Sequence, residues 1–177
     1  MATEAHKSLT LKDVEALGKA LIEVADKFPA HFLTERDFFP LVTAYLSGRV
    51  PNLVAEVAVQ DGNVDFRLGN TNRALLELAV APRELRDAKR SNLAFPGHGA
   101  ATQLYASQNG SELKKLFSVP QSQAKNRYLL LLDFRDSHDI NKLKESYRKI
   151  AKKLKRNGPV RVFYVSYSRC KHFHLPK

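Results

Sequence analysis

The stretch Asn63–Val80, NVDFRLGNTNRALLELAV, predicts two short β-strands joined by a polar turn, with one carboxylate inside each strand. The turn is rich in residues that tolerate positive φ. If Leu68 pairs with Ala74, Asp65 lies directly across from Glu77. A turn one residue shorter would shift the register and send the two acids to opposite faces of the sheet. The predicted hairpin therefore brings two carboxylates together.

Side-chain alternation assigns the apolar residues of the first strand to the face opposite Asp65. These residues are Val64, Phe66 and Leu68. Leucines surround Glu77 in the second strand, which predicts burial on both faces. Burying two carboxylates in such a setting costs folding free energy unless they hold a cation or are bridged by cationic side chains. The alternative is that either acid lies on the solvent-exposed face of an antiparallel hairpin and has no special partner.

The composition favours one folded domain, 1–177, that binds a polyanion. The chain has 177 residues, of which 44% are apolar, and a formal net charge of +11. This charge favours nucleic acid over an acidic membrane surface as a partner. No apolar run approaches the ~20 residues of a membrane span, and the N-terminus lacks an apolar signal core. The single cysteine, Cys170, suits a reducing cytoplasm, the expected location.

The order of predicted elements favours an α/β fold. We expect a central mixed sheet, built from a three-strand antiparallel meander and a βαβ pair, flanked by helices. The meander strands are predicted at 53–60, 63–68 and 73–80, and the βαβ unit at 127–134, 139–156 and 160–168. Helices are predicted at 8–28, which only packs on the core, and at 34–47, unless Pro40 delays the second to Phe39. Between the meander and the βαβ unit we expect a short helix at 82–90, a loop at 92–99, and helices at 100–107 and 111–117.

Over residues 31–168, this order of elements resembles the PD-(D/E)xK nuclease superfamily. In that family the motif aspartate lies in the second strand and the (D/E)xK signature in the third. Asp65 and Glu77 fall in these places, so the resemblance implies that they hold Mg²⁺ or Mn²⁺. It also implies a supporting acid, either Glu35 or Glu56.

In many members of the family a polar residue of the next helix also contributes to the site. Gln103 lies where that helix is predicted, with Tyr105 nearby. The family's chemistry needs hard carboxylate ligands, because Mg²⁺ keeps several waters and takes one or two protein ligands. The metal polarises the scissile phosphate and activates a water, which the signature lysine orients. This chain has Ala79 at the lysine position. Three alternatives stay open: Lys89 or Arg83 supplies the cation, the domain only binds nucleic acid, or the change is a deliberate inactivation.

Two basic groups are candidates for binding a phosphodiester backbone. The first follows the third strand directly: Arg83, Arg86, Lys89 and Arg90. The second lies on the helix at 139–156, where eight cations face two acids; it includes Lys142, Arg148, Lys149 and Lys152. The alternative is that the cations of this helix only form its solvent-exposed face and bind no partner.

The resemblance implies a magnesium-dependent DNA endonuclease or phosphodiesterase, or a catalytically degenerate descendant of one, with a homodimer as an open possibility. The alternative is a non-enzymatic nucleic-acid-binding or interaction module with the same fold. Near the C-terminus, Cys170, His172 and His174 alternate on one face if 169–177 is extended. No CxxC or HxxxH spacing accompanies them, so we expect a polar edge strand or basic tail rather than a zinc site.

Overall fold

The computed structural model describes residues 8–28, 31–32, 34–70, 73–81, 104–155 and 157–176. Within these residues the chain forms a six-strand mixed sheet flanked by four α-helices, so the predicted α/β class is confirmed. The strands are β1 (Val54–Val59), β2 (Gly62–Leu68), β3 (Ala74–Ala81), β4 (Asn126–Asp133), β5 (Val160–Ser166) and β6 (Cys170–Leu175). The helices are α1 (Leu11–Lys27), α2 (Phe39–Ser47), α3 (Ala106–Ser118) and α4 (Ile140–Ala151), and a 3₁₀ helix, Glu35–Phe38, precedes α2.

Strand order in the sheet follows the order of the chain, from β1 to β6. The first three strands pair antiparallel and form the predicted meander. Strands β3, β4 and β5 pair parallel, and α4 makes the crossover between β4 and β5. The last strand, β6, returns antiparallel beside β5. The predicted meander and βαβ unit are therefore joined through the parallel β3–β4 pair.

The predicted hairpin register is confirmed, because Leu68 pairs with Ala74. The predicted face of Val64 is wrong. Phe66 packs in a core cluster on one side of the sheet, whereas Val64 packs in the cluster on the other side. The alternation of β2 breaks at Asp65, where its pairing with β3 stops and its carboxylate accepts the backbone N–H of Leu78. Glu56, which lies opposite Asp65 in β1, has a φ of 51°, a left-handed value that is uncommon in a strand.

Two apolar clusters cover the two faces of the sheet. The first packs α1 and α2 against one face, and the second packs α3 and α4 against the other. β4 contributes to both, and its residues from Arg127 to Asp133 are all buried. Its continuous apolar run is typical of a strand covered on both sides. The core therefore has two layers of side chains, with β4 at its centre.

Two predictions about helix boundaries are confirmed, and one helix ends earlier than predicted. Pro40 delays α2 to Phe39, as the second alternative predicted, because proline suits only the first turn of a helix. The predicted break at Asn109 is confirmed, because its φ and ψ are not helical and divide Ala106–Ser118 (α3) into two pieces; residues 100–103 of the first predicted helix lie outside the described residues. The predicted helix at 139–156 ends at Ala151 and continues as turns. The predictions for 82–90 and 92–99 lie outside the described residues.

No helix in the described ranges has both the length and the apolar content needed to cross a lipid bilayer.

Candidate active site

Asp65 lies where pairing between β2 and β3 stops. The paired residues run from Leu68 with Ala74 to Phe66 with Leu76, so the ladder ends one residue before Asp65. The Asp65 carboxylate takes the place of a strand partner, because its Oδ2 accepts the backbone N–H of Leu78 at 2.7 Å. The residue is 9% exposed. Burial raises the pKa of Asp65, against the hydrogen bond from Leu78 and the charge of Lys115, which lower it.

Glu77 lies in the middle of β3, next to Asp65, and is fully buried. Neither of its oxygens makes a well-aligned hydrogen bond to another described residue, although Lys115 Nζ lies 3.0 Å from Oε1. Burial, followed by the negative charges of Asp65 and Glu112, raises the pKa of Glu77 to about 11. Two nearby carboxylates cannot both ionise cheaply in a buried site, so Glu77 holds a proton at neutral pH when no metal is bound.

The cation of this site comes from α3. Lys115 Nζ approaches Glu77, forms an ion pair with Glu112 and donates a hydrogen bond to the carbonyl oxygen of Asn63 at 2.8 Å. Its side chain is only 14% exposed. Desolvation acts to lower the pKa of Lys115, but the hydrogen bond to Glu112 and the charge of Glu77 outweigh it, so the pKa is raised. Lys115 is therefore a fixed positive charge among the acids.

The two candidates for a supporting acid lie in different surroundings. Glu35 begins the 3₁₀ helix, and burial followed by the charge of Asp65 raises its pKa to about 8. Glu112 and Lys115 also act on this pKa, so Glu35 faces the same group of charges. Glu56 is exposed, and its Oε1 accepts a hydrogen bond from Arg36 at 2.9 Å. Glu35 is thus the acid that the fold brings to Asp65 and Glu77.

Several other predicted site residues lie outside the described residues: Arg83, Arg86, Lys89, Arg90 and Gln103. Tyr105 is described, and its ring lies beside His138, with 5.5 Å between the ring centroids, rather than beside the acids. The predicted cations of the βαβ helix are exposed on α4 or just after it: Lys142, Arg148, Lys149 and Lys152. No ion pair to these four side chains occurs among the described residues.

The donor set at Asp65 and Glu77 fits magnesium. Both are carboxylates, which supply the hard oxygen donors that Mg²⁺ prefers, and both Glu77 oxygens are buried without a well-aligned hydrogen-bond partner among the described residues. No group of three or more His, Cys, Asp or Glu side chains in the described ranges is placed to hold a metal by itself. Two carboxylates completed by water are sufficient for Mg²⁺, which retains much of its hydration shell.

A second buried polar cluster lies at the carboxyl ends of β4 and β5. Asp133 Oδ2 accepts hydrogen bonds from the OH of Tyr164 and Nδ1 of His138, both at 2.7 Å, and from the backbone of Ser137 and His138. Desolvation acts to raise the pKa of Asp133, but the hydrogen bonds from His138 and Tyr164 hold it well below its usual range. Because Asp133 fixes the loop between β4 and α4, we assign this cluster a structural role.

Lys115 and Glu112 belong to the site although no sequence motif predicts them there. The helix at 111–117 was predicted, and its apolar residues Leu113, Leu116 and Phe117 are buried against the sheet. Glu112 and Lys115 stand three residues apart, a spacing that places side chains on one side of a helix. This pair bordering an apolar stripe was the available signal, but its distance from Glu77 depends on how α3 packs.

No protein-family model and no curated protein matches this chain.

Proposed function

We propose that this chain is a magnesium-dependent phosphodiesterase that cleaves nucleic acid, with DNA as the first substrate class to test. One observation carries the proposal: Lys115 Nζ lies 3.0 Å from Glu77 Oε1, beside the buried carboxylate of Asp65. Two acids and a lysine on neighbouring elements are the set that PD-(D/E)xK nucleases use. We infer that α3 supplies the cation that Ala79 lacks.

In this proposal Asp65 and Glu77 would hold the metal, which would supply Lewis-acid chemistry at the scissile phosphate and at a bound water. Glu77 would release its proton to solvent in order to act as a ligand. Lys115 orients the water and stabilises the negative charge that develops on the phosphate. Glu112 keeps the lysine ammonium in position through their ion pair. Glu35, protonated more readily than an exposed acid, can accept or return a proton at this site.

The cations of α4 support a nucleic-acid substrate. Four of the predicted cations are exposed and make no ion pair among the described residues, although the Asp139 carboxylate interacts electrostatically with Lys142. Residues three and four apart on a helix lie roughly 5–6 Å apart at Cβ, which lets several side chains contact one phosphate backbone. Such contacts give salt-dependent binding without sequence recognition.

A second candidate function is a nucleic-acid-binding module without catalysis. It is favoured by the same unpaired cations on α4 and by the loss of lysine at Ala79. In this case Lys115 only neutralises buried acids, and its removal would affect stability rather than chemistry. The two candidates therefore differ in what Lys115 does.

Cleavage of supercoiled plasmid and of single-stranded DNA with Mg²⁺ or Mn²⁺ tests the proposal. We expect the parent to cut, Asp65→Ala to be inactive, and Lys115→Met to lose about 10²–10³-fold in rate, the usual effect of removing one charge-stabilising donor. Lys114→Met is the matched control, because the neighbouring Lys114 is half exposed and pairs with Asp61. It should cut like the parent.

The proposal fails if the parent does not cut with either metal, or if Lys115→Met cuts as fast as Lys114→Met. Salt-sensitive DNA binding without cleavage would support the binding module. Thermal unfolding of each variant shows whether a loss of activity reflects a loss of structure.

A further inference from the structure

Strand β6 is an open edge of the sheet. It ends the strand order and pairs only with β5, so the backbone groups of its other edge have no sheet partner among the described residues. Such an edge is a ready template for another strand. The two exposed histidines of β6, His172 and His174, lie two residues apart and therefore share one face of the strand.

These imidazoles are arranged as possible metal ligands. Their ring centroids are 5.9 Å apart, with an interplanar angle of 61°. The ring of His172 stacks on Phe163 at 5.3 Å, which limits its rotation. Neither ring has a hydrogen bond or ion pair to any other part of the chain that the structure describes. Their nitrogens are thus available for a ligand from solvent.

One chain supplies only half of a closed site. A structural zinc ion takes four nitrogen or sulfur ligands in a tetrahedron, and the described residues hold no group of three candidate ligands. An antiparallel pairing of two β6 strands about a two-fold axis at Phe173 would set His172 of each copy opposite His174 of the other. Directly opposed residues have Cβ atoms about 4.5–5.5 Å apart, so all four imidazoles would meet on one face.

We propose that two copies of this chain pair through β6 and bind a zinc ion, or a similar divalent transition metal, with His172 and His174 of both copies. The symmetric pairing uses the same surface on both partners, as two-fold dimers do. Phe173, which faces the second core cluster, would meet its counterpart on the other side of the sheet. This inference concerns β6 alone and does not depend on the proposed nuclease site.

Arg161, the cation opposite His174 in β5, is already engaged by other residues. Arg161 pairs with His174 across the ladder, and its charge opposes a bound metal. Its Nη1 donates to Asn126 Oδ1 at 3.2 Å, and the guanidinium lies over the ring of Tyr128 at 6.0 Å. These contacts hold it along β4, away from the outer edge of β6. Imidazole ligands also select zinc, copper or nickel over magnesium, so the two proposed metal sites prefer different ions.

Sedimentation or light scattering of the tag-free, chelator-treated protein tests the inference, with zinc chloride or magnesium chloride as the added salt. We expect zinc to double the mass, at one ion per two chains, and magnesium to leave it unchanged. His172→Ala and His174→Ala should each abolish the zinc effect. His31→Ala is the control, because His31 is exposed and lies outside the sheet. It should dimerise like the parent.

Two results would overturn the inference: a chain that stays monomeric with zinc, or a zinc-dependent dimer that survives both histidine substitutions. Asp65→Ala should still dimerise, which separates this site from the proposed active site. Removing zinc with a chelator should restore the monomer.

Discussion

Glu77 and Asp133, the two most deeply buried acids among the described residues, have opposite electrostatic surroundings. Asp133 receives hydrogen bonds from its loop and from two side chains, whereas Glu77 faces other acids with one lysine beside it. A buried carboxylate with several donors is stabilised in its charged form, and one without them is stabilised in its neutral form. The sequence alone does not distinguish them, because both are acids within apolar strands.

We predict that Glu77→Gln stabilises the metal-free protein while abolishing activity. The pKa of Glu77 is raised to about 11 in the folded state, so above about pH 4.5 the unfolded chain releases a proton that the folded chain keeps. The stability of the parent therefore falls with rising pH, and glutamine removes this cost. The free energy of unfolding of Glu77→Gln should exceed that of the parent by an amount that grows from near zero at pH 4.5 to about 1–3 kcal/mol at pH 7.5.

Urea unfolding in the presence of a chelator measures this gain across pH. Glu56→Gln is the control, because Glu56 is exposed and should show no such trend. A Glu77→Gln variant less stable than the parent at pH 7.5 would contradict the prediction.

For Asp133→Asn we predict a loss of stability, the opposite of the effect expected for Glu77→Gln. The pKa of Asp133 is well below its usual value of 3.8 in the folded state, so its stabilisation is present above pH 3.8 and is lost as the pH falls through the folded value. The variant should lose about 2–4 kcal/mol near neutral pH, because donors that bonded a buried charge are left mismatched. The difference from the parent should shrink below about pH 4.

Denaturant unfolding between pH 3 and 8 checks this prediction. Tyr164→Phe removes only one donor to Asp133 and should cost about 1 kcal/mol. A difference between parent and Asp133→Asn that is independent of pH would show that the carboxylate charge is not the cause.

At the scale of elements, the two helices on the second cluster have separate roles. α3 carries Glu112 and Lys115 towards the sheet, and α4 presents its cations to solvent. Both lie on the same side of the sheet and pack against each other, as the hydrogen bond from the Ala106 backbone to Ser146 shows. In the proposed function, α4 binds the backbone and α3 contributes to the chemistry.

We predict that replacing the α4 cations with glutamine lowers the salt dependence of DNA binding. The four changes are Lys142→Gln, Arg148→Gln, Lys149→Gln and Lys152→Gln. Each phosphate contact that is lost should reduce the slope of log K against log salt by about 0.9 for duplex DNA. Fluorescence anisotropy with labelled duplex between low and moderate salt measures the slope.

A matched control comes from the other side of the sheet. Lys12, Lys19 and Lys27 lie on α1, and the last two pair with Glu15 and Glu23. Glutamine at these three positions should leave the slope nearly unchanged. Equal losses from both sets would indicate a general effect of net charge rather than a surface on α4.

Local patterns predicted the elements but not how the elements meet. The register of Leu68 with Ala74 follows from turn length and alternation, which are local, and it brought Asp65 to Glu77. Strict alternation fails at Val64, because the pairing of β2 with β3 stops at Asp65 and the Asp65 side chain bonds the backbone of Leu78 instead. Lys115 is distant in sequence from Glu77, and its contact depends on the packing of α3.

For the whole molecule, the distance between α1 and the sheet is set by one glycine. A Cβ atom at Gly18 would lie 2.7 Å from Val165 Cγ2 and 3.1 Å from Leu130 Cδ1, closer than packed carbon atoms allow. Gly18 is buried in α1, and its two neighbours belong to the central strands β5 and β4. The absence of a side chain here lets the helix lie directly on the parallel core.

We therefore predict that Gly18→Ala destabilises the protein although alanine favours helices by about 1 kcal/mol over glycine. Overpacking of a close-packed core costs about 1–3 kcal/mol, which exceeds this gain, because α1 must move away from two buried strands. Gly48→Ala is the matched control: its added Cβ meets nothing within 4 Å, and its φ of −84° suits alanine. Thermal and urea unfolding should show a loss for Gly18→Ala and none for Gly48→Ala. Equal stability of the two variants would mean that α1 can move away from the sheet. The first core cluster would then tolerate a larger distance between this helix and the strands than its packing indicates.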